Sequence, residues 1–278
     1  NADNINIHTL TWLYNDQSDA TKGYNDTIAG TIDGTGLNSA AVTACKAAGN
    51  FDEYAYVADT LANTFMGFYN INRNQFANAN DSTKVVSSQT EEEAERTKQA
   101  MQNVHFRRAL SMSLDRGSYL AQQVGDDLKY ASMRNSFTPG NFVSLEEEVT
   151  VDINGTATTF PAGTYYGEIM QAQIDADGVK IKVWDPTAND GAGSSDGFDG
   201  WYSPENAVEE LNQAVEELAA DGVTVDAENP IQVDIVYPAN VESFTNRANT
   251  TKQSIEASTN GLVQVNLVAA ADATDWYY

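Results

Sequence analysis

Basic residues, cysteine and histidine are scarce in this sequence. There are 15 Lys and Arg against 40 Asp and Glu, a formal net charge of −25. Such a field repels phosphate backbones and anionic lipid headgroups, which argues against a nucleic-acid or membrane-surface partner. The single cysteine, Cys45, permits no internal disulfide and no cysteine-based zinc site. His8 and His105 are the only histidines, and neither has a His or Cys at ligand spacing. No metal or cofactor is expected on that donor set. No stretch approaches the roughly 18 consecutive apolar residues of a membrane span. What is present is a chain of 278 residues, 41% apolar, long enough to bury a core without disulfide or metal.

No Met, basic leader or apolar signal core opens the chain, so any targeting segment is expected outside it. Asn1-Ala2 is a candidate expression scar and is set aside. At the other end Asp272 suits the N-cap of a helix start that stops on Trp276-Tyr277-Tyr278. The expectation is an excised piece of a longer protein.

Alternation of apolar and polar residues predicts a strand at Ile5–Ile7, and a helix is expected over Asp16–Ile28. A short strand at Thr31-Ile32 runs into a glycine turn, and Asn38 caps a helix over Ser39–Ala48 that Gly49 closes. Phe65–Ile71, apolar on both faces, predicts a strand covered on both sides. Acidic residues open a helix running to Gln102, and a second follows over Val104–Leu114 with Phe106, Ala109, Leu110, Ser113 and Leu114 on one face. Asp115 is placed to cap a third, Arg116–Val124. Residues 141–200 read as an insertion: strands around Val149–Ile153 and Thr156–Phe160 joined by the Asn154-Gly155 turn, then a flexible Gly, Ser and Asp loop from Ala188. Ser203 with Pro204 starts a helix that Gly222 stops. Ile231–Tyr237 alternates as a strand, a helix spans about Ser243–Thr259, and Val263–Leu267 alternates again. Strand, helix, strand predicts two parallel strands joined by a right-handed crossover, hence a mixed α/β chain.

Three formal motif matches fail on context. Gly193-Ser194-Ser195-Asp196-Gly197 fits G-x-S-x-G, but a nucleophile elbow needs a strand before it and a helix after it. Gly34-Thr35-Gly36 begins a dinucleotide fingerprint that Ser39 breaks at its sixth position. Asp185, Asn189, Asp190, Asp196 and Asp199 offer oxygen ligands, but Asp190 stands where a calcium loop needs glycine, leaving at most a weak cation site. With 40 acids, a carboxylate pair by itself identifies no acid/base chemistry.

The row Asn103–Arg116, NVHFRRALSMSLDR, resembles the signature helix of the family 5 extracellular solute-binding proteins, the oligopeptide-binding components of ABC importers. Arg107, Ala109, Leu110, Leu114, Asp115 and Arg116 match its pattern, with Phe106 in place of the usual Val and Ser113 in place of Ala. Ala29–Asp33 and Gly67–Arg73 look like further segments of the family, and Thr90–Gln102, Met133–Val143, Trp201–Leu211 and Lys252–Ala257 resemble its Gram-positive lipoprotein branch, so the likeness spans nearly the whole chain.

That resemblance implies a single truncated lobe of a two-lobed receptor, of the periplasmic-binding-protein-like class II, with a mixed sheet flanked by helices. It implies no catalysis, an extended oligopeptide as ligand, and an ABC transporter membrane permease as partner of the full-length protein. It also implies an extracellular, lipid-anchored location, the anchor lying outside this chain; the fragment itself is expected to be monomeric. The family's ligand-anchoring aspartate segment has no counterpart here. In open α/β sheets ligands meet the loops at the carboxyl ends of strands. Two loops qualify: Gly34, Gly36, Leu37 and Asn38, glycine-rich enough for another backbone to approach, and Tyr237, Pro238 and Asn240. For Tyr237 a core role remains an equal alternative. In the signature helix, Leu110 and Leu114 are expected to pack on the sheet, and Arg107 and Arg116 to pair with acids. Two other readings stay open: a cell-surface adhesion or peptide-sensing module, and a carboxylate-dependent extracellular hydrolase.

Overall fold

The computed structural model describes residues 6–16, 18–58, 60–84, 87–240 and 242–270. The chain divides into two units, Asn1–Val57 and Ala58–Tyr278.

In the first unit, α1 (Lys22–Ile28), α2 (Ser39–Ala47) and the single turn α3 (Phe51–Tyr54) gather around Tyr24, Ala41 and Cys45. The expected helix from Asp16 begins only at Lys22. Asp16 and Asp19 each accept from the backbone N–H two residues on, Ser18 at 3.0 Å and Thr21 at 2.8 Å, and these local turns displace helical hydrogen bonding. The strand expected at Thr31-Ile32 is a bend that follows Gly30 at φ +71°. Asn6 and Ile7 form no strand, and Ile5 lies outside the described residues. Asn38 caps α2 as expected, its Oδ1 accepting from Ala41 N at 2.9 Å.

The second unit is built on α4 (Glu91–Gln102), α5 (Val104–Ser113), α6 (Arg116–Val124), α9 (Pro204–Ala220), β3 (Ile231–Pro238), α10 (Glu242–Ser258) and β4 (Val263–Ala270). Between α6 and α9 lie β1 (Val149–Ile153), β2 (Thr156–Phe160), α7 (Tyr166–Ala176) and the single turn α8 (Ala188–Gly191). Helix starts follow the capping chemistry: Thr90 and Glu93 form a reciprocal capping box, and Asn103, Asp115 and Ser203 cap α5, α6 and α9. β3 and β4 pair in parallel, Ile231 opposite Val263 through Pro238 opposite Ala270, on either side of α10 in sequence. Ile231, Val233, Val263 and Val265 turn one face of this pair into the main core with Phe106, Leu110, Leu211, Leu218 and Ile255.

The opposite face of β3 carries a charge. The Asp234 side chain is 2% exposed and sits 2.6 Å from Arg73 Nη1. It also accepts from Ser87 Oγ, Gln89 Nε2 and Asn266 Nδ2. A buried carboxylate is tolerable only when paired and hydrogen-bonded in this way. The edge of β3 that faces away from β4 is closed by side chains: Thr97 Oγ1 and Gln89 Nε2 both donate to Gln232 O at 2.7 Å. On β4, Lys252 donates to Val265 O and Glu256 accepts from Val265 N, so α10 covers the other edge.

Three expectations need correction. Among the described residues the strands form two separate two-stranded sheets, β1-β2 antiparallel and β3-β4 parallel, and not one mixed sheet. Phe65–Ile71 is not a strand, and Phe65 is 99% exposed. Phe65 and Phe68 are uncovered while Met66 and Tyr69 are partly covered, Tyr69 through its hydroxyl on Ser111, so the apolar run is not buried on both faces. The loop expected over 188–200 is not surface throughout: Gly193, Ser194 and Ser195 are buried, while 189–192 are exposed. A Cβ on Gly140, Gly167 or Gly193 would run into the Trp184 ring, so these glycines permit close packing. The hairpin turn forms as predicted, with Asn154 at φ 51° and Gly155 at φ 83°. Asn154 Nδ2 donates to Asp177, and this bond with a second from Gln173 holds that carboxyl below its ordinary range. Asp272–Tyr278 lies outside the described residues.

Arg73→Ala leaves the Asp234 charge buried with neutral donors only, and urea unfolding is expected to show a loss of about 3 kcal/mol. Replacing both partners, Arg73→Met with Asp234→Leu, is expected to recover part of it. A loss below about 1 kcal/mol for Arg73→Ala, the level of an exposed pair, would contradict the assignment.

Candidate functional site

The loop after β3 is set by the strand pair. In register, Tyr237 lies opposite Ala269 and Pro238 opposite Ala270, and Ala239 N donates to Ala270 O at 2.9 Å. Alternation places Tyr237 on the side of Ile231, Val233 and Ile235, at the end of the core-facing row, where it is half-buried. Pro238, on the opposite side, is buried, and Ala239 and Asn240 are exposed. The arrangement is a carboxyl-end loop: an aromatic half in the core, a rigid proline, then two residues free to meet a ligand.

Gly34, Gly36, Leu37 and Asn38 belong to the first unit. They follow no strand, so the strand-end argument does not apply to them. Gly34 and Gly36 are exposed with negative φ, and a Cβ on either meets open space. Nothing within the fold requires glycine at either position. Leu37 packs on the Tyr24 cluster, and Asn38 is committed to the α2 cap and to Ala20 O, to which its Nδ2 donates at 2.8 Å.

The helix that carries the resemblance is a packing element. Phe106, Ala109 and Leu110 of α5 are buried in the core, and Leu114 is its half-buried C-cap. Arg116 reaches Asp199 through Nε at 3.0 Å and Nη2 at 2.5 Å, donates to Arg134 O, and meets Asn135 Oδ1. The expected pairing of Arg116 with an acid is therefore present. Arg107 differs: its Nη1 donates to Met101 O at 2.6 Å and to Asn103 O, tying off carbonyls at the α4–α5 junction.

Ser195 of the G-x-S-x-G match is 1% exposed and its Oγ has no hydrogen-bond partner. A buried hydroxyl with no base beside it is no nucleophile. His105 instead contacts Glu210 at 2.6 Å and Glu217 at 3.7 Å, between α5 and α9. Bonds from Gln213 and Asn103, with the nearby His105, hold the Glu217 carboxyl below its ordinary range. Three of the loop acids have protein partners: Asp185 accepts from Thr187, Asp196 from Arg134 and Asp199 from Arg116. Among the described residues no group of three or more His, Cys, Asp or Glu is arranged to hold a metal, and no helix is long and apolar enough to cross a membrane. An open groove of about 860 Å³ runs beside α4, lined by Glu91, Glu92, Glu95 and Asp221, with Arg96 bound to the carbonyls of Thr224 and Asn229.

No protein-family model matches the sequence. Oligopeptide-binding protein AmiA of Streptococcus pneumoniae serotype 4 is 26% identical over 254 residues, 91% of this chain and 33% of its own length. SarA of Streptococcus gordonii is 24% identical over 92% of the chain and 33% of its length, and AliB of S. pneumoniae 28% over 71% and 25%. The chain is similar to oligopeptide-binding proteins. It spans a third or less of the length of each of these relatives. Each is named for binding oligopeptides, and the mixed helix and strand composition of this chain fits an α/β fold.

Asn38→Ala removes a cap and is expected to cost about 1 kcal/mol, whereas Gly34→Ala and Gly36→Ala are expected to stay within about 0.5 kcal/mol of the parent. Thermal and denaturant melts check both. A large loss from either glycine variant would show that the fold, not a ligand, needs the open backbone there.

Proposed function

We propose that this chain is one lobe of an oligopeptide receptor, of the periplasmic-binding-protein-like class II, and acts by binding without catalysis. The observation that carries this reading is similarity to AmiA and SarA across 91% and 92% of the chain. The parallel β3–α10–β4 unit supports it, because such units present loops at the carboxyl ends of their strands. The ligand is an extended oligopeptide, taken by its main-chain polar groups so that many sequences are accepted. Tyr237, Pro238 and Asn240 are proposed contacts in the second unit. Gly34, Gly36, Leu37 and Asn38 are proposed contacts in the first, and each set is tested within its own unit. Within a longer, lipid-anchored extracellular protein, the lobe serves an ABC importer and meets its membrane permease. A net charge of −25 favours cationic peptides by steering.

Native mass spectrometry after mild purification and incubation with a mixed peptide pool tests the reading. Bound peptides of varied sequence are expected. Tyr237→Ala is expected to weaken a representative peptide about tenfold, the effect of one aromatic contact. Protein that stays empty, alone and as the full-length chain, would overturn the proposal.

A further inference from the structure

Segment 60–64 of the second unit lies on the surface in an unusual way. Its apolar side chains do little to hold it: Leu61 is 67% exposed, and Phe65 just beyond is 99% exposed. It is held by polar groups instead. Arg134 donates through Nη2 to Leu61 O at 2.8 Å, and through Nη1 to Asn63 O at 3.1 Å and to Thr64 Oγ1 at 2.8 Å. Thr64 Oγ1 donates in turn to Phe137 O at 2.6 Å, and Thr60 Oγ1 donates to Asp196 Oδ2 at 3.3 Å.

The receiving surface is rigid. The Arg134 side chain is 12% exposed, and its Nε donates to Asp196 Oδ1 at 3.2 Å. Arg134 and Asp196 also form an isolated antiparallel bridge, and Gly197 N donates to Met133 O at 3.0 Å. Arg134 O is fixed from below by Arg116, and Asn135 Nδ2 donates to Ser195 O and Phe198 O. The guanidinium fork is thus oriented before anything is bound, which lowers the ordering cost of binding.

We propose that Arg134, Asp196 and the Phe137 carbonyl form a main-chain clamp for peptide, and that Thr60–Thr64 occupies it as an internal surrogate ligand. The clamp reads two carbonyls, two residues apart, and hydroxyls at the two ends of a Thr-x-x-x-Thr spacing; it makes no demand on the residues between. A peptide with that spacing replaces the internal segment when the segment lets go. The internal copy acts as a tethered competitor, so it lowers the apparent affinity for added peptide by the fraction of time the clamp is free. This clamp stands independently of the proposed Tyr237 contacts.

The probe is a fluorescein-labelled peptide with the sequence of residues 60–65, Thr-Leu-Ala-Asn-Thr-Phe, titrated into the 278-residue chain and followed by anisotropy. The double variant Thr60→Val with Thr64→Val loosens the internal copy and is expected to bind the probe at least about tenfold more tightly than the parent. Adding Arg134→Gln is expected to abolish that gain, with circular dichroism and melting used to show that the fold persists. A probe with alanine at its three middle positions is expected to bind equally, and one with valine for both threonines to bind poorly. If the Arg134 variant does not fold, the parent protein decides the matter: excess probe is expected to speed proteolysis within residues 61–68 and nowhere else. No tightening in a folded double variant, or tightening indifferent to Arg134, overturns the clamp. Loss of pool binding through Tyr237→Ala with probe binding unchanged supports a clamp separate from the Tyr237 contacts, whereas loss of probe binding in a folded Tyr237→Ala variant overturns that separation.

Discussion

The parallel pairing of β3 with β4 is the constraint on which the second unit depends. Because side chains alternate along a strand, the register that puts Ile231 and Val233 beside Val263 and Val265 also sends Asp234 and Asn266 to the opposite face. A slip by one residue would bury Asp234 in the hydrocarbon core and expose the valines. The four groups that satisfy Asp234, from Arg73, Ser87, Gln89 and Asn266, therefore act with the core to specify one register. The same register carries Tyr237 to the end of the core-facing row and leaves Asn240 beyond it.

A second constraint operates where residues 134–140 meet residues 184–201. Trp184 packs against Gly140, Gly167 and Gly193, none of which has room for a Cβ. Arg116 then binds Asp199, Asn135 and the Arg134 carbonyl at once. The arginine that closes the family-like signature row thus acts as a brace joining two distant segments. The brace fixes the Arg134 main chain, and Asp196 holds the Arg134 guanidinium through its Nε, beside the segment 60–64.

Elements with strong local chemistry were legible in the sequence. The caps at Asn38, Asp115 and Ser203, the Asn154-Gly155 turn and the strand-helix-strand unit all follow from side chains that bond the backbone nearby or alternate cleanly; the Asn103 cap is not anticipated there. The failures share a cause. At Asp16 and Asp19 the helix loses to shorter Asx turns of equal local appeal. Phe65–Ile71 has strand composition, yet an apolar run does not say whether a partner covers it. The glycine-rich stretch before Trp201 reads as loose, because sequence cannot distinguish glycine chosen for freedom from glycine chosen for proximity to Trp184. Of the proposed contacts, Tyr237, Pro238 and Asn240 sit at a strand end as expected; the strand expected before Gly34 is absent. Arg134 stands within a family-like segment, and nothing local marks it as a group that binds carbonyls seventy-odd residues away.

The account as a whole holds that rigid braces position a few main-chain-directed groups for a peptide of unspecified sequence. Hydrogen–deuterium exchange of the chain with and without a saturating mixed peptide pool tests this most directly. The account predicts slower exchange across Val236–Asn240 on adding peptide, with Ile231–Val233 already protected and unchanged. Peptide binding that leaves Val236–Asn240 unaltered, or that slows exchange only in the core strands, would contradict it.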